Sequence, residues 1–232
     1  MHATLSLAPH GVTFVPGLTP RRVSRLDVVS ELLEADVVQI RLHGRGGQGT
    51  VTAAELLAVA AFEEGLYAQA FPSFGSERTG APVEAYCRLG RREIRTREPV
   101  KDPDVLVIQD PTLLGVVKLF AGLRQHGYVL LNTSTPLHEL GMDEEVAHLD
   151  PDHILSLPAT DIALEYLKRP TPNSVLLGGF AALTGLISRD AVEAAIHHRF
   201  RGAVAEANVA AVRVAFDHVN RERVGGRGAG TT

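Results

Sequence analysis

A single cysteine, Cys87, is all that the 232-residue sequence offers. One thiol cannot close an intrachain disulfide, nor supply the thiolates of a cysteine-clustered zinc or iron–sulfur site. Any redox centre that works with this chain is therefore expected on another one. Tryptophan is absent and aromatics make up only 5% of the residues. Charge of one sign is also lacking: 23 basic side chains stand against 27 acidic ones, with no long run of either. That balance removes the broad basic footprint of a nucleic-acid or membrane-surface protein, so neither partner is expected. No apolar stretch approaches the ~20 residues that span a bilayer. The N-terminus lacks the basic-then-apolar order of a secretory signal, and a cytoplasmic location is expected. The sequon Asn132-Thr133-Ser134 is then a chance match.

What is present is a 45% apolar sequence sufficient for one substantial core. Residues 1–36 hold three prolines before position 21 and no sustained period. They read as an extension that orders against a partner, with a short amphipathic helix at Leu26–Leu33. The main domain is expected over 37–220, followed by a flexible glycine-rich tail over 221–232. Val37–Leu42 is an apolar run of strand character. A helix follows from Thr52 to Glu64, with Thr52 and Glu55 at capping-box spacing and Gly65 as its stop. Tyr67–Ala70 and Val83–Leu89 read as strands, with Glu93–Arg97 returning as a hairpin partner. Asp104–Asp110 has the composition of a buried parallel strand, and a helix over Thr112–Gln125 followed by the strand Tyr128–Asn132 would complete a βαβ unit. Helices at Ala159–Lys168, Ser174–Thr184, Asp190–Arg199 (capped by Ser188) and Ala203–Asn220 make the C-terminal part helical. The architecture this predicts is α/β: a three-layer, Rossmann-like, mostly parallel sheet.

Two segments stand out. Between the first strand and helix lies His43-Gly44-Arg45-Gly46-Gly47-Gln48-Gly49-Thr50. A glycine loop at a helix start presents free N–H groups and the positive end of the helix dipole, the makings of an anion seat, and Arg45 adds a cation. Gly44 to Gly49 satisfies G-x-G-x-x-G, but the acidic ribose partner is missing: Glu63 and Glu64 fall at the end of the helix, and the next segment runs into a Pro-rich loop. A triphosphate-binding loop is excluded too, because Thr50 and Val51 stand where Lys and Ser/Thr belong. Two readings stay open: glycines for a tight turn and close helix packing, or a seat for an anion or a partner's backbone. The second segment, Phe71 to Arg78, sets Phe71, Phe74, Ser76, Glu77 and Arg78 in a loop with Pro72 and Gly75. It reads either as aromatic anchoring with a local Glu77–Arg78 ion pair, or as a rigid loop offered to a ligand or neighbouring subunit. His197 and His198 lack a ligand at helical spacing and are expected on the surface. Asp102, Asp104 and Asp110 suit loop capping. No catalytic constellation and no metal-ligand set emerges.

With these residues in view, the chain resembles the gamma subunit of 2-oxoacid:ferredoxin oxidoreductases, equivalent to the gamma domain of single-chain pyruvate:ferredoxin oxidoreductases. The matching stretches are Ile40-Arg41-Leu42-His43-Gly44-Arg45-Gly46-Gly47-Gln48-Gly49, the run from Ala68 to Val83, Gln109-Asp110-Pro111-Thr112-Leu113, Pro158 to Ala163 and Asn173 to Gly178. The resemblance implies a subunit without cofactors of its own, in a complex that converts a 2-oxoacid and coenzyme A to acyl-CoA and CO2. Electrons would pass to ferredoxin or another acceptor. Thiamine diphosphate, Mg2+ and [4Fe-4S] clusters would sit on alpha-, beta- and delta-type partners. Gly44, Arg45, Gly46, Gly47, Gln48, Gly49, Thr50, Phe74, Ser76, Glu77 and Arg78 would face those subunits and help to position coenzyme A. The alternative is a free-standing nucleotide- or anion-binding module.

Overall fold

The computed structural model describes residues 7–8, 11–12, 36–73, 79–136 and 139–228. Its centre is a nine-residue strand, β3 (Val37–Arg45). Side chains alternate along a strand, and Val38, Ile40 and Leu42 go to one buried face while Arg41 and His43 are buried on the other. β3 lies in a six-stranded sheet of order β4 (Tyr67–Pro72), β5 (Pro82–Gly90), β3, β6 (Val105–Ile108), β7 (Tyr128–Asn132), β8 (Ile154–Leu157). β5 runs against both of its neighbours, with Cys87 opposite Ile40 on one side and Ala70 on the other. β3, β6, β7 and β8 pair in parallel. The mostly parallel α/β sheet expected from the sequence is thus borne out. A small antiparallel pair, β1 (Leu7–Ala8) and β2 (Gly11–Val12), brings β2 beside β4. The helix expected at Leu26–Leu33 lies outside the described residues.

Five helices share one apolar core with one face of the sheet: α1 (Thr50–Glu63), α3 (Ala159–Leu167), α4 (Asn173–Thr184), α5 (Arg189–Arg199) and α6 (Gly202–Gly228). Every residue of α4 from Ser174 to Thr184 is buried, which explains why it is apolar all round. α6 approaches it closely because α4 carries Gly178, where a Cβ would sit 2.5 Å from the Val212 carbonyl oxygen. The opposite layer is built differently. Leu106, Ile108, Val129 and Leu131 pack there against Leu113, Leu119, Met142 and Leu149, from turns and short helices such as α2 (Asp143–Val146).

Four local expectations change. α1 begins at Thr50 behind Gly49 (φ 78°), so Thr52 lies inside the first turn and the capping box with Glu55 does not form. Its other end is as read: Gly65 N–H bonds Phe62 O at 2.9 Å and Leu66 N–H bonds Ala61 O at 3.0 Å, a Schellman closure. The helix expected over Thr112–Gln125 is only the single turn Pro111–Leu113. Gly115 (φ 73°) and Gly122 (φ 74°) break it. The carbonyls of Leu119 and Ala121 turn instead to the Arg41 guanidinium, each at 2.7 Å. Glu93–Arg97 forms no strand; the carbonyls of Thr96 and Glu98 accept from Arg88. Lastly, α6 runs past Asn220 to Gly228, where a tail was expected from 221. Ser188 caps α5 as read, its hydroxyl accepting from Ala191 N–H at 3.1 Å.

Candidate functional site

From β3 the chain leads through α1 to the β4 edge, while β6, β7 and β8 extend the other way. The sheet therefore reverses between β3 and β6, and a crevice at the carboxyl ends of such strands is where open α/β sheets place ligands. The glycine loop and the segment Gln109–Thr112 meet there.

Arg45 is the hub of that meeting. Its Nε and Nη2 donate to Thr112 Oγ1 at 3.0 and 2.8 Å, and its Nη1 donates to Gly80 O at 3.0 Å. Asp110 Oδ2 lies 3.3 Å from Nε and accepts from Gln48 Nε2 at 2.6 Å. Asp110 Oδ1 accepts from Thr112 N–H and Oγ1–H, at 2.9 and 2.6 Å. Burial works against the Asp110 charge, but the hydrogen bonds from Thr112 and Gln48 and the Arg45 charge outweigh it. They hold the carboxyl below the usual carboxylate range. The loop is closed on itself as well: Gln48 Oε1 accepts from Arg45 N–H at 2.8 Å, and Gln48 N–H donates to Arg45 O at 3.1 Å. Gly46 N–H goes to Ala81 O at 2.9 Å, and Gly80 N–H returns to Gly46 O at 3.0 Å.

The glycines make this closeness possible. A Cβ at Gly44 would meet Thr50 Oγ1 at 2.2 Å, and one at Gly49 would meet Asn173 Nδ2 at 2.6 Å. Asn173 opens α4, so the first turns of α1 and α4 converge on the loop. Asn132 ties in α3, donating to Gln109 O at 2.7 Å and accepting from Thr160 N–H at 3.0 Å. Buried and bonded in this way, the Asn132 amide leaves no room for a glycan in the folded chain. Thr50 Oγ1 and Gln109 Oε1 are buried with no hydrogen-bond partner among the described residues.

On the other face, His43 is 3% exposed, with Nδ1 3.7 Å from Glu84 Oε1 and Nε2 buried with no hydrogen-bond partner among the described residues. Burial and the nearby Arg41 charge push its pKa down to about 4, against the opposing pull of Glu84. Tyr86 donates to Glu84 Oε2 at 2.6 Å, and burial with that bond raises its pKa.

Of the residues expected to form a site, Gly44, Arg45, Gly46, Gly47, Gln48, Gly49 and Thr50 come together in one structure. Phe74, Ser76, Glu77 and Arg78 lie outside the described residues, though Ser73 N–H is anchored to Glu84 O at 2.9 Å just before them. Arg45 is not a free cation, since Asp110 and Thr112 already occupy it. Asp110 caps the turn Pro111–Leu113 as read, but the ties of Asp110, Thr112 and Gln109 to the glycine loop were unforeseen, because those partners lie more than 60 residues away, beyond any local pattern. His198 pairs with Glu63 at 3.0 Å on the surface, as expected of it. Cys87 is fully buried, and burial raises its thiol pKa far above the ordinary value. No group of three or more metal-ligating side chains forms among the described residues. Within the same residues no helix is long and apolar enough to cross a membrane.

The fold and site together define a mostly parallel α/β module whose glycine loop is bonded to itself at the reversal point of the sheet. The family model for pyruvate ferredoxin/flavodoxin oxidoreductase matches residues 39–218. The pyruvate synthase subunit PorC of Methanothermobacter thermautotrophicus is 47% identical over 188 residues, 81% of this chain and 99% of that protein. The common gamma subunit of the pyruvate/ketoisovalerate oxidoreductases of Pyrococcus abyssi is 46% identical, covering 78% of this chain and 96% of that protein. Among solved structures, the pyruvate oxidoreductase subunit PORC of Thermotoga maritima superposes with a TM-score of 0.68 at 37% identity, covering 79% of this chain and 97% of that one. The chain belongs to the pyruvate ferredoxin/flavodoxin oxidoreductase family, and its resemblance to the gamma subunits is borne out.

Proposed function

We propose that this chain is the gamma subunit of a multi-subunit, cytoplasmic 2-oxoacid oxidoreductase that forms acyl-CoA and CO2 and hands electrons to ferredoxin or another acceptor. The observation that carries this is near-complete coverage of gamma and PorC subunits at 46–47% identity. Its own residues do not fit the redox groups of such a complex. One buried thiol cannot hold an iron–sulfur cluster, and the reversal point is filled by Arg45 and Asp110. Thiamine diphosphate, Mg2+ and the [4Fe-4S] clusters accordingly fall to alpha-, beta- and delta-type partners. In this reading, the glycine loop and the Phe74–Arg78 segment both contact those partners, close to coenzyme A. Arg45, already engaged, acts there as a positioning residue, and Arg78 is the candidate phosphate contact. A free-standing nucleotide-binding module gains no support from a loop whose cation is internally paired.

Mild affinity purification tests the assembly: brown, thiamine-containing material with larger partner chains is expected, and a colourless lone protein would overturn it. Arg78→Ala tests the coenzyme A contact. The apparent KM for coenzyme A should rise with assembly intact. Unchanged coenzyme A kinetics and a loosened complex would instead mark the segment as packing only.

A further inference from the structure

Glycine loops of this pattern usually receive their anion from outside the chain. Here a carboxylate of the chain itself arrives from the end of β6. Asp110 is 7% exposed and spends both oxygens on the loop and its neighbour: Oδ2 on Gln48 and Arg45, Oδ1 on Thr112. Arg45 passes the restraint on, since its Nη1 donates to Gly80 O and the flanking Gly46 brackets Gly80 and Ala81 by two backbone bonds. Gly80 and Ala81 are where the chain re-enters the sheet as β5.

We propose that Asp110 is the internal anion of the glycine loop, answering the Arg45 guanidinium and the Gln48 side-chain amide where an outside anion would otherwise be drawn. Through Arg45, it fixes Gly80 and Ala81 on the partner-facing side. The loop is then a clasp between β3, β5 and β6 and not a phosphate site. Asp110 is a positioning residue for whatever that face contacts. The seat itself rests on the geometry above; its effect on coenzyme A rests on the function proposed in the preceding subsection.

The experiment removes the carboxylate and returns it from solution. Asp110→Ala vacates the seat, and Asp110→Ser does so while its hydroxyl can still cap the Thr112 N–H. In the assembled complex, either variant should raise the KM for coenzyme A about tenfold, the scale of one lost charge-assisted interaction, with kcat held. Millimolar acetate should restore most of it, a rescue that a general loss of packing would not show. Directly, carbon-13-labelled acetate should bind the variant chains, by line broadening and a raised unfolding midpoint, and leave the wild-type chain unaffected. Acetate binding with an unmoved KM would keep the internal anion and overturn the coenzyme A reading. Failure of acetate to bind either variant, or equal binding to the wild-type chain, would overturn the internal anion itself.

Discussion

Among the groups through which acid should weaken this fold, His43 can be isolated by a single substitution. The imidazole is buried between β5 and β6, its register partners being Glu84 and Ile108. Burial first, and Arg41 second, depress its pKa from 6.5 to about 4. Above pH 6.5 the folded and unfolded chains both hold His43 neutral, and pH has no leverage on it. Between 6.5 and about 4 the unfolded chain takes up a proton that the folded chain refuses, so stability falls as pH falls. Below that window the loss levels off. A drop from 6.5 to about 4 corresponds to about 3 kcal/mol, most of it reached by about pH 4.5. Urea unfolding of wild-type and His43→Asn chains across this range isolates the site, because the remaining histidines titrate in both and cancel. The stability gap should move in favour of the variant by about 2–3 kcal/mol on going from about pH 7.5 to about 4.5. A gap that stays flat, or moves towards the wild type, would refute the reasoning: the buried imidazole would then be protonated in the native state.

Two further outcomes follow from packing. Arg41 donates to the carbonyls of Val100, Lys101, Leu119 and Ala121. Arg41→Ala should cost about 3–5 kcal/mol in chemical denaturation, and Arg41→Lys should recover only part, since an ammonium cannot reproduce the planar fork. Gly178→Ala drives a Cβ against the Val212 backbone, whereas Gly179→Ala crowds the movable Leu157 Cδ2 at 2.6 Å and otherwise makes ordinary contact with the Leu130 methyls. The first should lower the unfolding midpoint by the equivalent of about 2–3 kcal/mol and the second clearly less, so the reverse ranking would count against backbone contact as the cause.

The helical side of the protein was legible in the sequence because its information is local. Ser188 announces α5, Gly65 ends α1, and the unbroken apolar run of α4 shows itself as a central helix. The other layer was misread for the opposite reason. Leu113, Val117 and Phe120 recur at near-helical spacing, yet the backbone there is governed by Arg41, 78 and 80 residues earlier in the chain. The same holds at the glycine loop. Its glycines and its place between strand and helix are visible in the sequence, and they suggest an anion. That the anion is Asp110 depends on β6 lying beside β3, which no local pattern states.

The two arginine grips have a consequence for how the molecule opens. Over β3 and β5, the layer from Thr96 to Ala121 is held by Arg41 and Arg88 reaching main-chain carbonyls. Such attachment adds hydrogen-bond donors to the apolar contacts that Leu113 and Leu119 make with the sheet, so withdrawal of a guanidinium would loosen this layer without breaching the apolar core on the far side. Amide exchange should therefore be faster over the layer from Thr96 to Ala121 than in the helices on the far side. That layer borders Asp110 and Thr112, and so a subunit docking against the glycine loop would feel its loosening as a change in the surface it binds.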